Sequence, residues 1–170
     1  MADRANSSFG QLRAFLRVRL ITPIGHVSFW TYFLLAIVGL GAVGVWVELF
    51  RWMLSPEPDT SGILTAIYTY FPAVAAGATL QLVMASEQKF VRSFSMGGAF
   101  VAGVAAVPHA LGLVKVPASF YWGLVGTFVS LLLWWVANGV NPDYLDTCPV
   151  DSLGGKLEDE PSGDTKGFNV

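Results

Sequence analysis

The sequence predicts an all-α membrane protein: a four-helix transmembrane bundle with a short N-terminal interfacial segment and a disordered acidic C-terminal tail. Three observations predict it. Only 13% of the 170 residues are charged and 54% are apolar, whereas soluble domains carry about 25% charged residues. The charges are also segregated: windows 20–47, 60–86, 93–114 and 116–142 contain none, and each is at least 22 residues long. Crossing roughly 30 Å of hydrocarbon takes about 20 helical residues, so each window is long enough to span. Finally, eight basic residues fall on the side of the termini (Arg4, Arg13, Arg17, Arg19, Lys89, Arg92, Lys156, Lys166) and two on the other (Arg51, Lys115). By the positive-inside rule both termini are cytoplasmic.

Residues 1–26 read as a cytoplasmic basic amphipathic segment. Ser8 and Gln11 have the spacing of a capping box. Phe9, Leu12, Leu16 and Leu20 share one helical stripe flanked by Arg13 and Arg17, a pattern that suits a helix lying in the interface against anionic headgroups. The spans are expected at 27–50, 62–86, 93–114 and 118–140, joined by short connections. The tryptophans fit this threading. Trp30, Trp134 and Trp135 fall near the inner boundary, and Trp46, Trp52 and Trp122 near the outer one. From 141 to 170 seven carboxylates face two lysines among glycines and prolines. Such a segment buries too little to offset its ordering entropy and is expected to be disordered.

The residue inventory argues against an enzyme. Cys148 is alone, and the two histidines, His26 and His109, fall at opposite faces, so no zinc set forms. No GxSxG, HExxH or Walker pattern occurs. GLGAVG, residues 39 to 44, matches a dinucleotide fingerprint, but that motif works between a strand and a helix in water. Inside an apolar span its glycines serve close helix approach instead. The sequence therefore implies no catalytic residue, cofactor, metal or nucleic-acid partner.

Small residues carry the strongest functional signal. The third span has Gly98, Ala102, Ala106 and Ala110 at four-residue spacing. The fourth has Ser119, Gly123, Gly126 and Ser130, and the second has Thr65, Thr69, Pro72, Ala76 and Thr79. Lipid is as apolar as leucine, so helices associate in it through close packing, which small seams allow. Seams in excess of what one bundle uses leave a face for a partner. Pro72 and Pro108 are expected to kink their helices. Glu48, His109 and Lys115 are expected near the outer end of the bundle, where they could meet as a polar group.

The expected function is that of a non-enzymatic multi-pass protein, in a bacterial inner membrane, acting through helix–helix assembly. It would form a homo-oligomer or a subunit of a larger complex, with the lipid bilayer as its other partner. The alternative is a minimal channel, transporter or membrane and pH sensor, including a stress or phage-defence component, built on Glu48, His109 and Lys115.

Overall fold

A computed structural model describes residues 8–85, 88–113 and 115–146. Of these, 87% are helical, and no strand occurs among them. The helices are α1 (Ser8–Ile21), α2 (Val27–Thr31), α3 (Val43–Leu54), α4 (Ser61–Ala85), α5 (Lys89–Ala110) and α6 (Val116–Asn138), with a π-helix over Tyr32–Gly41 between α2 and α3. Three of them, α4, α5 and α6, are long and apolar enough to cross a membrane. They match the expected spans 62–86, 93–114 and 118–140 to within four residues at each end. The tail from 147 to 170, with Cys148, lies outside the described residues.

The three long helices pack on one another around Phe71, Ala75, Ala78, Ala102, Ala105 and Leu133. Bulk from one helix enters a gap left by a small residue on the next. A Cβ at Gly126 would lie 2.6 Å from the Phe71 ring, one at Gly123 2.9 Å from Ile67, and one at Gly98 2.6 Å from Leu133. Those distances leave no room for a side chain, so the α5 and α6 seams close the bundle as their spacing implies. The α4 seam does not. This helix packs through Ile63, Leu64, Ile67, Phe71 and Leu82, and its Thr65, Thr69 and Ala76 are exposed.

The expected first span, 27–50, differs most from the structure. It is not one helix. Gly39 and Gly41 sit against the carbonyls of Leu34 and Ala36, five residues earlier, where a Cβ would be crowded at 3.2 and 3.1 Å. That is the spacing of a π-turn, which the glycines accommodate. The terminal carbonyls of such a helix lack partners within it. Ile37 O accepts from Tyr70 Oη at 2.9 Å, and Val38 O from Trp46 Nε1 at 2.8 Å. Ala42 breaks the run at φ −93°, ψ 17°, and its carbonyl accepts from Val45 and Trp46 to start α3. GLGAVG thus marks a change of helix type. Only Gly41 nears another element, with Tyr70 at 3.5 Å from its would-be Cβ.

Residues 27–54 nevertheless run the length of the bundle. At one end His26 meets Asp146, beyond α6. At the other Glu48 packs against Gly62, at the start of α4. The first is the terminal end, the second the distal end. At the terminal end the chain bends by 92° between Phe9–Gly25 and Val27–Gly41, so α1 lies across the bundle. Its Leu16 and Leu20 pack against Leu82, Val91 and Val136, while Arg13 and Arg17 stay exposed.

Both prolines lie inside helices. The helix α4 continues on either side of Pro72. Pro108 lies in the last turn of α5, and the helix ends just beyond it. Leu113 N donates to Pro108 O and Gly112 N to His109 O, each at 2.9 Å, with Gly112 at φ +63°. This is a Schellman stop, in which the glycine takes the left-handed position.

Gly126→Leu should therefore destabilise the bundle by about 1–3 kcal/mol or more, the cost of overpacking. Gly77→Leu should not, because a Cβ there meets nothing within 4 Å. Thermal unfolding of the two variants in detergent, followed by circular dichroism, checks the contrast.

Candidate functional site

The distal end holds the residues that the sequence groups together, and it keeps them apart. The His109 ring, in the last turn of α5, stacks on Tyr68 at 4.1 Å and 13°. Its Nδ1 lies 3.3 Å from Ser119 Oγ on α6. Tyr68 Oη donates to Ser119 O at 2.8 Å. His109 thus ties α4, α5 and α6 together where α5 ends. Glu48 instead pairs with Arg51, three residues along α3, at 3.6 Å. Lys115 is exposed at the N-cap of α6. No contact joins Glu48, His109 and Lys115 among the described residues. Helical direction explains this: Glu48 faces the start of α4, whereas His109 is turned into the seam between α4 and α6.

Two chemical possibilities at this end fail on geometry. Ser119 and His109 are close enough for a nucleophile and base, but Ser119 is 1% exposed and, among the described residues, no carboxylate contacts the ring. A cavity of about 300 Å³ is lined by Glu48, Arg51, Glu57 and Asp59, yet two of its carboxylates have structural partners. Glu48 holds Arg51, and Asp59 accepts from the Ser61 N–H at 3.0 Å and from the Ser61 hydroxyl, at the start of α4. Among the described residues no three His, Cys, Asp or Glu are placed to hold a metal ion.

The denser polar network lies at the terminal end, where no sequence pattern marks it. Arg19, counted in the sequence as one charge of a basic flank, reaches the C-terminus of α6. Its Nη1 donates to Val136 O at 2.9 Å and Ala137 O at 2.8 Å. A cation there satisfies carbonyls that have no partner in the helix and complements its dipole. Its guanidinium also sits 4.6 Å above the Phe15 ring. One residue earlier on α6, Trp135 Nε1 donates to Leu20 O at 3.3 Å, and Gly139 packs directly on the Arg19 carbonyl, where no Cβ would fit. Asn138, 2% exposed, donates to Gln81 Oε1 on α4 at 3.0 Å.

The segment after α6 joins this network. The sequence assigns residues 141–146 to the disordered tail, but they fold back along α2. Pro142–Tyr144 forms a 3₁₀ turn, capped by the Asn141 side chain. Tyr144 packs on Tyr32 at 4.8 Å and on Trp134 at 6.0 Å. Trp134, expected at a membrane boundary, is buried in this aromatic cluster with Phe29 and Phe33. Asp146 then supplies what α2 lacks. The N-cap residue of α2, His26, makes no side-chain cap, and the Asp146 carboxylate accepts from Ser28 N at 3.3 Å instead. In return Asp146 N donates to His26 Nδ1 at 3.0 Å. Two tyrosines and an aspartate in a polar run carry no periodic signal that would mark them for packing. Arg19, one residue before an uncharged window, is the position a reader could have suspected.

No protein family, curated protein or solved structure matches the chain. What the geometry supports is therefore read from this chain alone. Its polar groups are spent on joining helix ends.

Hydrogen bonding from Ser28, its hydroxyl first, with further help from backbone N–H groups and the His26 ring, holds the Asp146 carboxyl below the ordinary 3.8. A lowered carboxylate stabilises the contact above its unfolded value and loses that contribution as pH falls through the folded one. Ser28→Ala should move the Asp146 titration upward toward 3.8, read from its carboxyl carbon by NMR. An unmoved titration would mean that the Ser28 hydroxyl does not reach the Asp146 carboxylate in solution.

Proposed function

We propose that this chain is an integral membrane protein that works by assembling with other helices, as a homo-oligomer or as a subunit of a larger complex. It crosses the bilayer four times, with residues 27–54 as an interrupted first crossing and both termini in the cytoplasm of a bacterial cell. The observation that carries the reading is an uncovered row on α4. Ser61, Thr65, Thr69, Ala73 and Gly77 follow one another at strict four-residue spacing, and all are exposed. They lie opposite the face that packs through Ile67, Phe71 and Ala78. The comparable rows on α5 and α6 are spent inside the bundle, so this one is surplus. The Thr65 and Thr69 hydroxyls donate back to carbonyls four residues earlier, at 2.9 and 2.8 Å. They therefore present methyl groups and leave no unmet donor facing lipid. A helix with small residues in register can approach such a surface closely enough for backbone contact. A channel built on Glu48, His109 and Lys115 has less support, since Glu48 pairs with Arg51, His109 stacks on Tyr68, and Lys115 is exposed. Ion flux through purified protein in liposomes would favour it over assembly.

Topology is tested with single cysteines at Asn6, Pro58 and Gly163 in a Cys148→Ser background. An impermeant thiol reagent applied to whole cells should label Pro58 alone. Labelling at Asn6 as well would mean that residues 27–54 do not cross, and that the termini lie on opposite sides.

Assembly is tested by Thr69→Leu with Gly77→Leu. The pair should reduce the oligomer to a smaller species in mild detergent, by light scattering, with helix content unchanged. Phe128→Ala, on an exposed face of α6, should leave oligomer size alone. Equal sizes for all three proteins would remove α4 as the assembly surface.

A further inference from the structure

Below α1 an apolar groove of about 580 Å³ runs between α5 and α6. Leu16 and Leu20 of α1 roof it at the terminal end. Gly97 and Val101 line one wall, and Leu132 and Val136 the other. Gly97 keeps it open, since a Cβ there would meet nothing within 4 Å. The one hydroxyl in its lining is Ser93, and that already donates to Lys89 O at 3.0 Å. The groove therefore offers an occupant nothing but hydrocarbon.

Its terminal end is different. Arg13 and Arg17 precede Leu16 and Leu20 by three residues, so each lies on the side of the helix next to its leucine. Lys89 begins the row Lys89, Ser93, Gly97, Val101, which at four-residue spacing is one face of α5. All three basic side chains are exposed, and none pairs with a carboxylate among the described residues. No carboxylate occurs anywhere in α1, α5 or α6. A slot that is apolar along its length, with basic side chains only beyond its terminal end, is complementary to a molecule with the same asymmetry and the opposite charge.

We propose that the groove binds one anionic phospholipid. An acyl chain lies between α5 and α6, and the phosphate headgroup rests against Arg13, Arg17 and Lys89. The positive charge at one end only favours this amphiphile over a helix from a second copy. The chain fills the space under α1 that no described side chain reaches, and the headgroup holds α1 across the end of the bundle. The proposal rests on the membrane reading above.

The test is native mass spectrometry of the full chain in mild detergent, titrated with phosphatidylglycerol or phosphatidylcholine. Wild type should retain one phosphatidylglycerol in preference to phosphatidylcholine. Arg13→Gln with Arg17→Gln should cut that preference by roughly thirtyfold, the effect of losing two basic side chains facing anionic lipid. Gly97→Phe should abolish retention of either lipid by filling the slot. Both variants keep the backbone contacts of α1, and unchanged circular dichroism confirms that they fold. If both retain phosphatidylglycerol as wild type does, the site does not exist. If Gly97→Phe changes oligomer size and leaves lipid retention intact, the groove belongs to a second copy and the proposal falls. Carbonate extraction of cell membranes separates the two readings: a chain that washes off is not integral, whereas one that stays but binds no lipid overturns only the groove.

Discussion

A backbone carbonyl or amide without a partner is costly wherever water is excluded, and this fold is organised around that cost. Four helix ends that would leave such groups exposed are met by a further contact. The end of α6 takes the Arg19 guanidinium. The end of the π-helix takes Tyr70 and Trp46. The start of α2 takes Asp146, and the end of α5 closes on itself through Gly112. None of these contacts is a large apolar surface. Together with apolar contacts through Phe29, Leu16 and Leu20, they fix α1, the interrupted segment and the residues after α6 onto the core of the three long helices.

That core follows a different rule, the filling of gaps left by small residues. Phe71 enters at Gly126, Ile67 at Gly123 and Leu133 at Gly98. The two rules divide the work. Close packing sets how far apart α4, α5 and α6 stand, and long-range hydrogen bonds decide how the rest of the chain is attached. Changes at the first kind of position act on the whole bundle. Changes at the second kind loosen one end of it.

The division also explains what could be read in advance. Uncharged windows reveal the lengths of α4, α5 and α6, because the signal is a sum over twenty or more residues. Four-residue spacing reveals the seams of α5 and α6, since helical periodicity alone puts Gly123 and Gly126 near one face. It does not reveal which seam is used. Thr65 and Thr69 follow the same spacing as Ala102 and Ala106 but point outward, and only the partners' bulk decides that. The glycines at 39 and 41 look like packing residues and turn out to permit a change of helix type. The contacts of Arg19 and Asp146 join residues more than a hundred positions apart, and no local pattern encodes them. Glu48 and His109 come to the same end of the bundle, as expected, but a helix end has several faces and they occupy different ones.

The capping of α2 by Asp146 has a consequence for how the chain is made. The acceptor lies 118 residues after the donor. At about 5–20 residues per second, roughly 6–24 s separate the synthesis of the two. During that interval the first hydrophobic segment exists with its leading turn unfinished, and α1 exists before the α6 carbonyls that Arg19 will hold. Segments made well before α6 are thus among the last to reach their final form. A nascent chain interrupted before residue 140 would carry an amphipathic helix and an uncapped apolar segment together, a form suited to capture by insertion factors or by quality-control proteases. Completion of the last helix and the eight residues after it is the step that removes that vulnerability.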